Sequence, residues 1–519
     1  MRQGVVKSAG LMMTGIFISR VLGFIRERAV AQVFGRTAQT DAFFAAFAIP
    51  DLMYYILVGG ALSAAFIPVF TSYLARDQEE EAWYVASTFI NITVLLLFIC
   101  TGLGIIFAPS LAPLVAYQFS GDQLSLLIRL MRIMFPAVFF TALAGLTMGV
   151  LNSYQYFVTS ALGPIIYNTA IILAAYLLGP PLGLMGMALG VVLGAVGNFL
   201  VQLPPFIERA GGYRPTIDIH HEGIRHMVGL MLPALLGLSI SQINLIIGQN
   251  LASGLDGGIT ALRLANRLMQ FPLGVFAMGI STALFPELTR LAAREEIEEF
   301  KHSFSLGLRV VFLITIPAGM GLLALRVPIV RLLFESGQFT ARDTQATATA
   351  LLFYSFGLFS QSGIQLITKT FYSIRDTRTP VKIGLLNVVV NTLLSILFLR
   401  TTSLGHGGLA LAFSLTSLVN LVVFLHLLRR ELGTIDGGRI VTTTLKSILA
   451  SAVMGLGVVL VAGRLERLLN MARFSGRFLQ VGISILFGVL VYTGMVFLLR
   501  MEEVDYIIRL VKQRLRSRA

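Results

Sequence analysis

The 519-residue chain is 56% hydrophobic and only 13% charged, with a formal net charge of +14 and a mean hydropathy of +0.81. Soluble domains carry about 25% charged residues, so the composition excludes a soluble globular protein and puts most of the chain in lipid. Cys100 is the only cysteine and the six histidines show no ligand spacing, which excludes a disulfide framework and a zinc cluster.

A spanning helix needs about 20 apolar residues. About fourteen such runs are predicted, beginning near residues 8, 41, 85, 124, 157, 183, 227, 259, 306, 345, 380, 405, 441 and 476. The first lacks a small-residue cleavage motif and is expected to be a retained helix. It contains "SRVLGFIRERAV", with Arg20, Arg26, Glu27 and Arg28. A charge at the bilayer centre costs about 2.5–3.5 kcal/mol, so these groups must face water, protein or a ligand. Helical geometry sets Arg20 and Glu27 on nearly one face, with Arg26 about a third of a turn away. Gly15 and Gly23 are predicted bend points that would swing Arg26 toward that face, while Arg28 snorkels from the helix end. The competing reading is local: Arg20 and Glu27 pair with each other and only stabilise packing.

The second run opens with Asp41 and carries Asp51 beside Tyr54 and Tyr55. Gly59 and Gly60, followed by small residues, form either a hinge or a close helix contact. Arg129 and Arg132, at the start of the fourth run, are placed to snorkel. In the eighth, Thr260, Arg263, Arg267 and Gln270 follow a 3-4-3 spacing, one polar stripe on one helix face. "RDQEEE" and "REEIEE" read as solvated cytoplasmic faces, "SIRDTRTPVKI" as a basic loop that marks topology or forms an inner gate. The even-numbered connections and the "VKQRLRSRA" tail hold most of the basic residues. This bias puts both termini in the cytoplasm and assigns the positive charge to topology and anionic headgroups, with no nucleic acid as partner.

"SAAFIPVFTSYLAR" (Ser63 to Arg76) matches "STALFPELTRLAAR" (Ser281 to Arg294), with six identities, Pro68/Pro286 among them, at an offset of 218. "NSYQYF" from Asn152 faces "YSIRDT" from Tyr372, and Asn168 faces Asn387, at nearly the same offset. The offset covers six predicted helices, and an even number preserves orientation across the membrane. The expected fold class is therefore an all-α polytopic membrane protein: two parallel-repeat six-helix lobes around a central cavity, plus two C-terminal helices. The domains are 1–215 (helices 1–6), 216–435 (helices 7–12), and 436–519 (helices 13–14 with the basic tail). A cleft so rich in arginine and poor in acids favours an anionic guest, since guanidinium binds phosphate bidentately and stays charged. No Walker motif and no Ser/His/Asp arrangement is present, so a transporter is expected rather than an enzyme or an ATP-driven pump. An intramembrane glycosyltransferase would need outer-surface carboxylates, and only scattered acids such as Asp122 and Asp343 are on offer.

The stretches "SRVLGFIRERAVAQVFG", "TDAFFAAFAIPDLM", "GGALSAAFIPVF", "RLMQFPLGVFAMGISTALFPEL" and "FYSIRDTRTPVKI" resemble the MurJ (MviN) family of the multidrug/oligosaccharidyl-lipid/polysaccharide exporter superfamily, from about Ser8 to Leu432. That resemblance implies flipping of the lipid-linked peptidoglycan precursor, lipid II, across the bacterial inner membrane by alternating access, with no cofactor. It implies a cationic cavity for the pyrophosphate, with functional arginines matching Arg20, Arg26 and Arg267. It also implies acidic positions matching Glu27 and Asp41, and a groove in the last two helices for the polyprenyl tail. Tyr54 stands where some members have an arginine, Gln270 where they have a glutamate, and Thr260 where they have a serine. Some members use a sodium site with carboxylate ligands; here Gln242, Asn244, Asn387 and Asn391 stand there with no evident acid, so membrane potential is the expected driving force. The implied partners are lipid II, membrane lipids and the cell-wall synthesis machinery, and the implied working unit is a monomer. The alternative on the same fold is an exporter of drugs or of another polyprenyl-linked oligosaccharide.

Overall fold

The structure is a computed structural model that describes residues 2–59 and 62–503, with the backbone alone for 2–13, 57, 63, 64, 232–234, 236 and 238. Gly60 and the "VKQRLRSRA" tail lie outside the described residues. In chain order the helices are α1 (Arg2–Phe34), α2 (Ala38–Ala45), α3 (Ala48–Tyr54), α4 (Ile67–Leu74), α5 (Glu79–Val115), α6 (Gly121–Ser153), α7 (Val158–Leu177), α8 (Gly179–Leu182) and α9 (Leu184–Arg209). They continue as α10 (Glu222–Ala252), α11 (Gly258–Pro272), α12 (Met278–Ala293), α13 (Ile297–Ala324), α14 (Arg326–Phe334), α15 (Ala341–Ser373), α16 (Arg378–Thr401), α17 (His406–Leu432), α18 (Gly437–Leu468) and α19 (Phe474–Leu498). π-helical segments occupy Tyr55–Gly59, Leu62–Phe66 and Leu273–Ala277.

Among the described residues, eleven helical runs are long and apolar enough to cross a membrane. They include the eighth predicted run, Gly258–Ala293, despite its arginines. The α1 run, the α2–α4 run and α10 are not in that set, so the expected count of fourteen is not reached on length and composition alone. With no water in the bilayer core, helices satisfy the backbone within each segment. That is why long apolar runs of Leu, Ile, Val and Ala take this form.

The first helix runs continuously from Arg2 to Phe34 through Gly15 and Gly23, and Gly15 allows close packing: a Cβ there would run into the Ala161 side chain on α7. The interruption falls in the second run, which passes from α3 through two π-helical segments to α4.

The chain divides into two compact units, Met1–Thr260 with Ser336–Phe339, and Ala261–Glu335 with Thr340–Ala519. The division falls inside α11. In the first unit, α7 packs between α1 and α9, and α9 packs on α6. An aromatic core of Phe66, Phe70 and Trp83 lies where α4, α5 and α6 meet. The buried Trp83 Nε1 donates to Tyr154 Oη at 2.9 Å, and Tyr154 Oη donates to Glu79 Oε1 at 2.6 Å. In the second unit, α15 packs on α13 and α17, α16 on α17, and α18 between α13 and α19.

The internal geometries of the two units repeat. The π-helical segment Tyr55–Gly59 has its counterpart in Leu273–Ala277, at the same offset of 218 as the matched sequences. α5 and α13 start at Glu79 and Ile297, the same interval apart. Just before them Asp77 and Glu295 adopt left-handed backbone with φ of 59° and 58°. After α6 and α15 the same device recurs at Gln155 and Arg375, with φ of 59° and 63°.

Candidate functional site

In the first unit, Arg20 projects from α1 with an exposed side chain that makes no hydrogen bond or ion pair to another described residue. Arg26, one and two-thirds turns further, behaves differently. Its Nη2 donates to Glu27 Oε1 at 2.9 Å, and the two side chains are 16% and 2% exposed. The acid therefore pairs with Arg26 rather than with Arg20, and the Arg26 guanidinium already has a partner. Arg28 is half-buried.

Asp41 sits near the start of α2, 1% exposed. Its Oδ1 accepts from the Thr260 backbone N–H at 2.7 Å and from Thr260 Oγ1 at 2.6 Å. Thr260 lies in the first turn of α11, whose unpaired N–H groups and dipole favour a carboxylate. Asp41 and Thr260, two of the sequence-predicted site residues, are thus consumed by each other in a buried cap. Arg36, which the sequence did not single out, reinforces the junction by donating from Nη1 to the Asp256 carbonyl. Gly257 has a φ of +65°, and a Cβ there would meet the Arg36 side chain. Tyr54 is half-buried with its ring edge-on to Tyr55, centroids 5.7 Å apart. Gly23 is buried in α1 and Gly59 closes the first π-helical segment.

In the second unit, α11 grades from buried to open. Arg263 is half-buried, and Arg267 and Gln270 are exposed, while Ala261, Leu264, Ala265, Leu268 and Met269 on the other face are buried. Thr260, fully buried, is the sealed end of the row that continues through Arg263 to the exposed Arg267 and Gln270. Of the amide side chains considered for a cation, Gln242 and Asn244 are on α10 in the first unit, and Asn387 and Asn391 are on α16 in the second. Asn387 Oδ1 accepts from Asn420 Nδ2 at 2.6 Å.

One turn past Arg267 and immediately after Gln270, the end of α11 enters a different environment. Phe271, Pro272 and Phe276 line one side of a cavity of about 590 Å3 whose other walls are α13, α14, α18 and α19. Its lining is aliphatic and aromatic apart from Ser484, Tyr492 and Thr493. Tyr492 Oη is turned to the Leu313 carbonyl at 2.6 Å. Small residues make the room: a Cβ on Gly488 would lie 2.9 Å from Val458. A groove of this kind accepts a hydrocarbon chain. Sequence reading missed its lining residues because they look like any lipid-facing residue. It also missed Lys369, whose Nζ donates to Thr282 Oγ1 at 2.6 Å between α15 and α12; a lone lysine in an apolar run was the available signal.

Comparison with known proteins places this geometry. A solved structure titled "Lipid II flippase MurJ, inward closed conformation" superposes with a TM-score of 0.79 at 26% identity, covering 94% of this chain and 99% of that one. An inward-facing multidrug-resistance MATE family transporter shares the fold, with a TM-score of 0.69 at 16% identity and coverage of 82% and 99%. The molecule is thus a multi-pass membrane transporter, not an enzyme. The sequence profile of the family "Lipid II flippase MurJ" matches residues 30–474. A "Probable lipid II flippase MurJ" of Vibrio cholerae is 34% identical over 80% of this chain and 82% of its own length. The "Lipid II flippase MurJ" of Burkholderia cenocepacia is 32% identical over the same shares. A Bdellovibrio bacteriovorus relative is 30% identical over 98% of this chain and 97% of its own. This chain belongs to the lipid II flippase MurJ family.

Proposed function

We propose that this transporter moves lipid II from the cytoplasmic to the outer leaflet of the bacterial inner membrane by alternating access. A cationic cavity grips the pyrophosphate through Arg20, Arg26 and Arg267. The observation that carries this reading is the continuity of Arg267 and Gln270 with the apolar groove along a single helix. A diphosphate needs guanidinium groups, a polyprenyl chain needs a dry slot, and the substrate joins both. Arg26 exchanges its Glu27 partner for phosphate on binding, whereas Arg20 meets the substrate with no such exchange.

Binding neutralises repulsion among the arginines and so favours the closed arrangement. A ligand shifts such an equilibrium only through its differential affinity for the two states, and charge neutralisation supplies that difference. Inside-negative membrane potential drives the anionic headgroup outward and returns the empty cationic cavity inward. The protein works as a monomer with both termini in the cytoplasm, beside the cell-wall synthesis machinery.

The test is depletion rescue. The endogenous flippase is replaced by this chain or by its Arg20→Ala, Arg267→Ala or Arg20→Ala/Arg26→Ala/Arg267→Ala variants, and lipid II exposed at the outer face is scored. Rescue by the unmodified chain and loss in the variants is expected. Normal exposure in the triple variant would reject the clamp, and organic-cation export by a chain that does not rescue would favour a drug exporter.

A further inference from the structure

The walls of the groove in the second unit meet at both ends in charged nodes. At one end, Glu503 Oε1, just beyond α19 and 2% exposed, accepts from Arg309 Nη1 on α13 at 2.7 Å and from Thr443 Oγ1 on α18 at 2.6 Å. Arg309 is itself 4% exposed. One carboxylate oxygen therefore ties together the three long helices that wall the cavity, and Lys446 Nζ adds a bond to the Leu499 carbonyl at 3.0 Å. Leu313 and Val496, which line the cavity, pack with Met501 directly beside this node. At the other end, Arg331 Nη1 on α14 pairs with Glu466 Oε1 on α18 at 2.6 Å. There Arg477 on α19 binds the Glu335 carbonyl at 2.7 Å and the Glu335 carboxylate at 3.4 Å.

Between the nodes, α18 runs from Thr443 to Glu466, about 35 Å at 1.5 Å per residue. That is close to the hydrocarbon thickness of a bilayer, about 30 Å. Between the charged nodes the apolar lining runs from Leu313 to Leu325 along α13 and from Ser484 to Phe497 along α19, about 20 Å, a slot whose walls are held before any chain arrives. Preorganisation of this kind removes the ordering cost from binding.

We infer that Arg309, Glu503 and Thr443 at one end, and Arg331, Glu335, Glu466 and Arg477 at the other, are positioning residues. They hold the groove open at a set length, so that it selects a linear isoprenoid chain long enough to fill it. This rests on the reading of the groove as the tail site. None of these residues touches the chain itself; they act through the helices they pin.

The test compares two ligands on the purified full chain in proteoliposomes: undecaprenyl lipid II, and an analogue with the same headgroup on a three-isoprene chain. Glu503→Gln keeps the side-chain volume and removes the charge. It should weaken binding of the long-chain ligand about tenfold and leave the short-chain ligand unchanged. Glu503→Asp, which keeps the charge, should restore long-chain binding. Arg331→Gln, at the more exposed node, carries the same expectation and is measured in parallel. An equal loss for both ligands would reduce the nodes to general scaffolding, and no loss for either would remove their role; each result overturns the inference. If the unmodified chain binds neither ligand, the proposed function fails instead.

Discussion

At the scale of single residues, the difference between Arg20 and Arg26 decides what their substitution reports. Arg26 shares a hydrogen-bonded pair with a carboxylate that is 2% exposed. Breaking a buried pair by removing one partner costs up to about 3–5 kcal/mol. Arg26→Ala is therefore expected to lower thermal stability as well as flipping, and Arg26→Ala/Glu27→Ala to recover most of the stability but not the flipping. Arg20→Ala should reduce flipping with the melting temperature unchanged. Thermal unfolding and lipid II exposure measured on the same variants check this, and an Arg20→Ala protein as unstable as Arg26→Ala would contradict it. Tyr154, just past the end of α6, makes a pH prediction. Burial first, and then the hydrogen bond to Glu79, push its phenol up to about 12, against the opposing bond from Trp83. A free tyrosine titrates near pH 10, so folding favours the protonated form. Its contribution is whole below about pH 10 and is lost as pH rises through about 12. Tyr154→Phe should flatten that part of the stability profile, as followed by thermal unfolding across alkaline pH.

At the scale of elements, the duplication is written into helix ends and turns more clearly than into side chains. Asp77 and Glu295, and Gln155 and Arg375, hold left-handed backbone at matched helix C-termini, a conformation that costs a non-glycine residue about 1–2 kcal/mol. Gln155→Gly and Arg375→Gly should therefore each stabilise by up to about 1 kcal/mol, less the extra entropy of an unfolded glycine; destabilisation in both would show that their side chains carry the turn. The matched π-helical segments place a wide turn at equivalent points of the two units, a feature frequent at functional sites. The Asp41–Thr260 cap fastens α2 to the first turn of α11, the helix that carries Arg267. Asp41→Ala leaves buried donors unsatisfied, at about 1–3 kcal/mol, and Thr260→Val, which removes the hydroxyl bond but keeps the backbone N–H bond, should cost less. Their double variant should lose far less than the sum of the two. Additive losses would mean that the Asp41–Thr260 hydroxyl bond contributes nothing of its own.

At the scale of the whole molecule, the proposed transport of an anionic headgroup by a cationic site would be a movement of charge in a field. Each unit charge carried across gains about 2.3 kcal/mol per 100 mV. In proteoliposomes with an imposed potassium diffusion potential, flipping should accelerate at inside-negative polarity and slow when the potential is collapsed. Indifference to potential together with dependence on a sodium gradient would replace the driving force proposed above. Asn387 Oδ1 already accepts from Asn420 Nδ2.

Much of this was legible in the linear chain. Spanning helices depend on runs of side chains that each favour lipid independently, so their existence and approximate starts follow from local composition. The duplication follows from residue identities at a constant offset, and the 3-4-3 stripe on α11 follows from helical periodicity. Other features were not legible, because they depend on distant segments meeting. Glu27 chooses Arg26 over Arg20 only once α1 is packed, and Asp41 finds Thr260 219 positions away. Glu503 gathers Arg309 and Thr443 from two other helices. The chain by itself determined that this is a polytopic helical transporter with arginines where lipid would not tolerate them. Only the tertiary structure decided which of those charges are already paired and where a dry groove opens, because pairing and enclosure arise between helices that no local pattern relates.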